Sequence, residues 1–165
     1  DQQINKLIPP RSIPSHLNIL LSHMEQSKPG SKTNIAQALH QSADGISKKG
    51  LVIVISDFMD DVHNVINGLR HLRHDGHEVI VFHILDRDEL TFDFNERIKF
   101  IDKETGEELT TDPWHISREY VQHFQKHCDL LKNGCGQNKI EYIQLPTNQP
   151  LDVALSELLL KRKNY

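Results

Sequence analysis

Long apolar runs are the first thing this chain lacks. The longest, Leu51 to Ile55, has five residues, against the roughly 18 that a bilayer-spanning helix needs. No basic segment followed by an apolar one opens the sequence. It therefore reads as a soluble, non-exported, cytoplasmic protein with no membrane contact of its own. Positive charge is not in excess either: the formal net charge is −4 and the pI near 6.3, which leaves no basic footprint for nucleic acid. Cysteine is scarce. Cys128 and Cys135 form no CxxC pattern, and their flanks, Gly134 and Gly136 included, suggest a helix end followed by a loop. They read as free thiols of a reducing compartment, with a disulfide as the alternative. There is no G-x-S-x-G nucleophile elbow, no H-E-x-x-H zinc motif, no internal repeat and no low-complexity tract.

What is present is an ordinary globular composition, with 25% charged and 37% hydrophobic residues over 165 positions. One domain spanning 1–165, with a sizeable core, accounts for that length. Strand signals alternate with helix signals, which predicts an α/β fold: a three-layer, mostly parallel, doubly wound sheet of Rossmann type. Ile4 to Leu7, stopped by Pro9 and Pro10, reads as an edge strand. Leu17, Leu20, Leu21 and Met24 recur at helical spacing until Lys28, Pro29 and Gly30, and Ile35, Ala38, Leu39, Ala43 and Ile46 make a second stripe. Leu51 to Ser56 reads as a strand buried on both faces. Val62, Val65, Ile66, Leu69 and Leu72 then share a helix face that Gly76 ends, and Glu78 to Ile84 is a second buried strand. That succession is a right-handed βαβ unit.

After Asp86 the pattern changes. Ile98 to Asp102 and Glu107 to Thr111 flank Lys103 to Gly106 as a β-hairpin, within an insertion at about 87–114. Ile116, Tyr120, Phe124, Cys128 and Leu131 mark a long amphipathic helix, Ile140 to Gln144 a third strand, and Leu151 to Leu160 a closing helix begun near Thr147 to Pro150.

Chemistry is expected where the apolar run stops. In an open parallel sheet, ligands bind beyond the carboxyl ends of the strands, and this places Asp57 at such an edge. A strand-end acid also starts turns or caps helices, a task open to Asp57, Asp60 or Asp61, and Thr33 reads locally as a helix N-cap. His71, His74 and His77 are spaced by threes, but Gly76 puts His77 past the helix end, so a structural role near the helix dipole is preferred. His123 and His127 share a face with no Glu between them and read as solvated or packing residues. His83 and Asp86 could pair beside Asp57, with Asp86 more readily anchoring the turn that follows. Lys161 to Lys163 read as a solvated helix end.

Together the segments are more specific. G-x-x-T-x-I-x-x-A-L at Gly30 to Leu39, then a buried strand ending in Ser-Asp, resembles the von Willebrand factor A fold. LIPPRS at Leu7 to Ser12, GLVIVISDFMDD at Gly50 to Asp61, GHEVIVFHILDRDELTFDF at Gly76 to Phe94, FIDKETGEELTTDP at Phe100 to Pro113 and PLDVAL at Pro150 to Leu155 narrow it further. In that order they resemble the bacterial domain-of-unknown-function family 58, a von Willebrand A relative, over nearly the whole chain. The resemblance implies a metal-ion-dependent adhesion site for Mg²⁺ or another divalent cation, with Thr33 and Asp57 as ligands and Lys32, Asn34, Phe58 and Met59 beside the partner. It also implies a non-enzymatic protein-binding role with a MoxR-like AAA ATPase, in assembly or maturation of other proteins.

One departure matters. The family's site begins with Asp-x-Ser-x-Ser, which occurs nowhere in this sequence; the resemblance places that motif, with the first strands of the fold, upstream of residue 1. Mg²⁺ takes about six oxygens near ~2.1 Å, so Thr33 and Asp57 alone are expected to hold it weakly or not at all. Two rivals stand beside this reading. One is a metal-free scaffold recognising its partner through Phe94 to Trp114; the other is a phosphoryl-transfer enzyme with Asp57 as nucleophile.

Overall fold

β-Branched and aromatic side chains crowd a helix at χ1 but pack well on a pleated surface, and the two richest segments, 51–56 and 78–85, are both strands. The computed structural model describes residues 7–9, 11–26, 34–94, 98–101, 108–111 and 113–163. In chain order the elements are α1 (Ser15–Gln26), α2 (Ile35–Gly45), β1 (Leu51–Ser56), α3 (Val62–His74), β2 (Glu78–Leu85) and α4 (Arg87–Thr91). There follow β3 (Ile98–Ile101), β4 (Glu108–Thr111), α5 (Pro113–Gln137), β5 (Glu141–Pro146) and α6 (Leu151–Lys163).

β1, β2 and β5 form a parallel sheet in the order β1-β2-β5, with Val54 opposite Val81 and Val81 opposite Tyr142. β3 and β4 make a separate antiparallel pair, with Ile98 opposite Thr111. The turn expected at Lys103 to Gly106 lies outside the described residues, as do Ile4 to Lys6 of the expected edge strand and the helix stop at Lys28 to Gly30.

Alternation along the strands sends side chains to two faces. Val52, Val54, Val79, Val81 and Tyr142 face one way and pack with Leu39 and Ala43 of α2, Val65, Leu69 and Leu72 of α3, and Leu131 and Cys135 of α5. Ile80, Phe82, Ile143 and Leu145 face the other way, against Leu158 of α6. Helices thus pack on both sheet faces. β2, flanked on both edges and covered on both faces, is buried along nearly its whole length.

β1 departs from expectation: its burial alternates, and Leu51, Ile53 and Ile55 are 47%, 49% and 64% exposed. Leu158 reaches over β2 and β5, and β1 ends the sheet order, so among the described residues the face that β1 shares with Ile80 and Phe82 is left bare. The stripe of α1 is likewise outside the core, with Leu17, Leu21 and Met24 exposed.

The glycines near Cys135 also correct the sequence reading. α5 runs through Gly134, Cys135 and Gly136 to Gln137. Gly134 marks an approach of helices, since a Cβ there would lie 2.7 Å from both Cγ1 and Cδ1 of Ile66 on α3. Cys128 and Cys135 are buried free thiols.

A similarly close approach occurs between α2 and α3. A Cβ at Gly68 would sit 2.8 Å from the Leu39 Cβ and 3.2 Å from the Ala36 carbonyl oxygen. Alanine improves helix propensity by about 1 kcal/mol, yet overpacking a tight contact costs about 1–3 kcal/mol. Gly68→Ala is therefore expected to destabilise the protein by up to about 2 kcal/mol in urea unfolding; a raised midpoint would refute the close crossing.

Candidate functional site at the carboxyl edge of the sheet

Parallel pairing puts the carboxyl ends of β1 and β2 on one edge, with Ser56 opposite His83. The chain leaves β1 through a tight turn. Asp57 is exposed, and its Oδ1 accepts hydrogen bonds from the Ser56 hydroxyl at 3.3 Å and the Met59 N–H at 3.4 Å. The Phe58 N–H donates to Ser56 Oγ at 3.1 Å, and the Asp60 N–H to the Phe58 carbonyl at 2.8 Å. Among the described residues, Asp57 Oδ2 has no hydrogen-bond partner. Phe58 has a left-handed φ of 52°, which costs an L-residue about 1–2 kcal/mol. Its ring, only 1% exposed, packs in the core beneath the loop.

The turn is braced from below. His83, fully buried on β2, donates from Nε2 to the Asp57 carbonyl at 2.8 Å. A carbonyl can only accept, so Nε2 carries the hydrogen, and in the neutral ring Nδ1 accepts from the Tyr142 hydroxyl at 2.6 Å. Gln144 Nε2 donates to that hydroxyl at 3.3 Å. Desolvation is the largest influence on His83 and pushes its pKa down; the Asp57 carbonyl hydrogen bond acts in the opposite direction, and neighbouring His127 lowers it further. Burial raises the Tyr142 pKa, so the phenol keeps its proton. From α5, His127 Nε2 donates to the Phe58 carbonyl at 3.1 Å.

Of the residues singled out from sequence, Asp57 and Met59 are exposed on this rim, while Phe58 is buried. The left-handed turn directs the Phe58 ring inward, into the core. Thr33 and Lys32 lie outside the described residues. The N-cap of α2 is Asn34, whose Oδ1 accepts from the Gln37 N–H at 2.9 Å. Asp61 caps α3 through the Asn64 N–H, also at 2.9 Å.

Asp60 does what the sequence reading missed. Its Oδ2 accepts the Ile35 N–H at 3.2 Å, and its Oδ1 the Asp61 N–H at 2.7 Å. One carboxylate therefore joins the start of α2 to the β1–α3 loop and brings residues 34 and 35 to Asp57's rim. An open cleft of about 530 Å³ begins there, lined by Asn34, His40, Asp44, Asp60 and Asn64 among others.

The other histidines do not converge on this edge. His71 and His74 lie beside Asp75 in the last turn of α3, and buried His77, beyond the helix end, accepts the Gly50 N–H at 3.3 Å. The alternative His83–Asp86 pair is not formed. Asp86 instead caps α4 in a capping box with Glu89 and accepts from the Thr147 hydroxyl at 3.2 Å. Among the described residues no three His, Cys, Asp or Glu side chains are grouped to hold a metal ion. Asp57, an exposed carboxylate whose Oδ2 takes no hydrogen bond from the described residues, fits as a single ligand of a divalent cation. Burial raises both thiol pKa values, that of Cys135 to about 12, so neither is a nucleophile at neutral pH. No helix among the described residues is long and apolar enough to cross a membrane.

A family model described as "Protein of unknown function DUF58" matches residues 1–129. No curated protein and no solved structure matches the chain.

Because the folded His83 has its pKa below the ordinary 6.5, protonation favours the unfolded chain. This contribution to stability is complete above about pH 6.5 and is lost as pH falls toward the folded-state value, by at most ~1.4 kcal/mol per pH unit. Urea unfolding between about pH 7.5 and pH 5 is expected to show a shallower pH dependence in His83→Gln than in the parent. Identical slopes would show that His83 is not held neutral.

Proposed function

This chain belongs to the DUF58 family, and on that premise we propose that it is a protein-binding domain of the von Willebrand factor A type, not an enzyme. Its binding rim would be the carboxyl edge that carries Asp57. The observation that carries this reading is the Asp60 carboxylate's bond to the Ile35 N–H, which joins the segment just after Thr33 to the Asp57 loop. The exposure of Asp57, whose Oδ2 takes no hydrogen bond from the described residues, supports it further.

Thr33 and Asp57 are the residues of this chain that would hold Mg²⁺ or another divalent cation, with Asp-x-Ser-x-Ser supplied from upstream. The bound cation supplies a tether for an acidic side chain of the partner. The partner we favour, from the family resemblance, is a MoxR-like AAA ATPase acting in assembly or maturation of other proteins. Binding is preferred to catalysis because both ring nitrogens of His83 are already engaged and the thiols are held protonated, so neither can assist the exposed Asp57 carboxylate as a second catalytic group. A metal-free scaffold is the second reading, favoured by Trp114, which is 78% exposed at the start of α5 beyond the hairpin.

Two measurements test the proposal. Calorimetry on the 165-residue chain is expected to show no saturable micromolar Mg²⁺ binding, and such binding would overturn the partial-site reading. In a chain that carries Asp-x-Ser-x-Ser upstream of these residues, Asp57→Ala is expected to abolish Mg²⁺-dependent capture of the co-expressed ATPase. Capture that survives both that substitution and chelation would transfer the case to the scaffold.

A further inference from the structure

The Asp57 loop is gripped at two consecutive carbonyls by histidines from different elements. We propose that His83 and His127 are positioning residues that fix the direction of the Asp57 carboxylate, with the Asp57 carbonyl selecting the Nε2–H tautomer of His83 and the Tyr142 hydroxyl satisfying its other ring nitrogen. The inference rests on the reading of Asp57 as the acid of the binding rim.

His83 occupies a place on β2 where the sheet alone calls for an aliphatic side chain: Val81, Phe82 and Leu85 around it are all buried. Burying an imidazole is costly where a ring nitrogen is left unpaired, as Nε2 of buried His77 is, but in His83 both are engaged, one by the Asp57 carbonyl and one by Tyr142. His127 holds the next carbonyl, which also accepts the Asp60 N–H, so both lone pairs of the Phe58 oxygen are engaged. The Phe58 ring stands edge-on to His83, with centroids 5.5 Å apart at 89°. The peptide planes on either side of Phe58 are therefore pinned and its left-handed φ is over-determined. With Oδ1 held by Ser56 and Met59, the remaining freedom of Asp57 is small, and Oδ2 is left for a ligand. Without the Tyr142 hydroxyl the Nδ1 lone pair would be buried without a donor, and the ring would lose the contact that holds it in place beneath the Asp57 carbonyl.

Nuclear magnetic resonance on the labelled chain tests this. His83 is expected to be neutral with hydrogen on Nε2. Tyr142→Phe, which keeps the ring, should leave Nδ1 unpaired, loosen His83 and speed amide exchange at Phe58, Met59 and Asp60 about fivefold, the factor for one lost hydrogen bond. Exchange at Leu69 and Leu72 in α3 should stay within about twofold of the parent. His127→Leu should act similarly on the loop, and His127→Gln, which retains a donor, should restore most of the protection. Uniform acceleration through α3 would reduce the histidines to general packing and overturn the proposal, as would a loop that does not respond. Mn²⁺ tests the underlying reading separately. It should broaden the Asp57 to Met59 amides in the parent, do so far less in Asp57→Asn, which keeps an Oδ1 acceptor, and require about fivefold more ion in His127→Leu. A loop response without Mn²⁺ broadening supports the brace and removes the cation site; broadening without a loop response does the reverse.

Discussion

A histidine sealed inside a sheet is stabilised by partners for both ring nitrogens, and the rest of this site follows from where His83 finds them. One partner is a carbonyl beyond the end of β1 and the other a phenol on β5, so three neighbouring strands are joined through one ring. The in-register pairing of Ser56 with His83 makes the reach short enough. Above that ring, the chain turns through a left-handed Phe58, buries its side chain and leaves Asp57 outside. Packing below the loop and polarity above it are two results of the same constraint.

A second constraint acts from the side. Gly68 allows α2 to lie against α3 at a distance no side chain would tolerate, and this brings the start of α2 within reach of Asp60. Helix packing and site assembly are therefore coupled: the carboxylate that satisfies the Ile35 amide is also the one that orders the entry to α3. A shift of α2 by a fraction of an ångström would be felt at the rim.

Much of the architecture was legible from period and punctuation. Apolar runs and 3.6-residue stripes identified β1, β2, α2, α3 and α5, and Gly76, with φ 88°, stops α3 as expected. Asp57 was legible as a strand-end acid. The bare face of β1 was not, because composition tells what a strand tolerates on its faces and not which helix reaches over it. Gly134 was misread for a related reason: a glycine required by a neighbouring helix has the same letter as one that ends its own. The cap shifted from Thr33 to Asn34 because both residue types accept amide bonds, and only backbone geometry decides between neighbours. Least legible were Asp60 and the two bracing histidines. Their partners are a main-chain amide and two main-chain carbonyls, groups every residue carries, so no motif announces them.

The uncovered ridge of Leu51, Ile53 and Ile55 has a practical consequence for anyone handling the protein. Sulfate and similar salts are excluded from protein surfaces and strengthen the burial of oily area, and a strand that ends its sheet offers both such area and backbone groups that another strand can meet. Concentrated stocks will therefore stay dispersed best in dilute buffers free of salting-out ions.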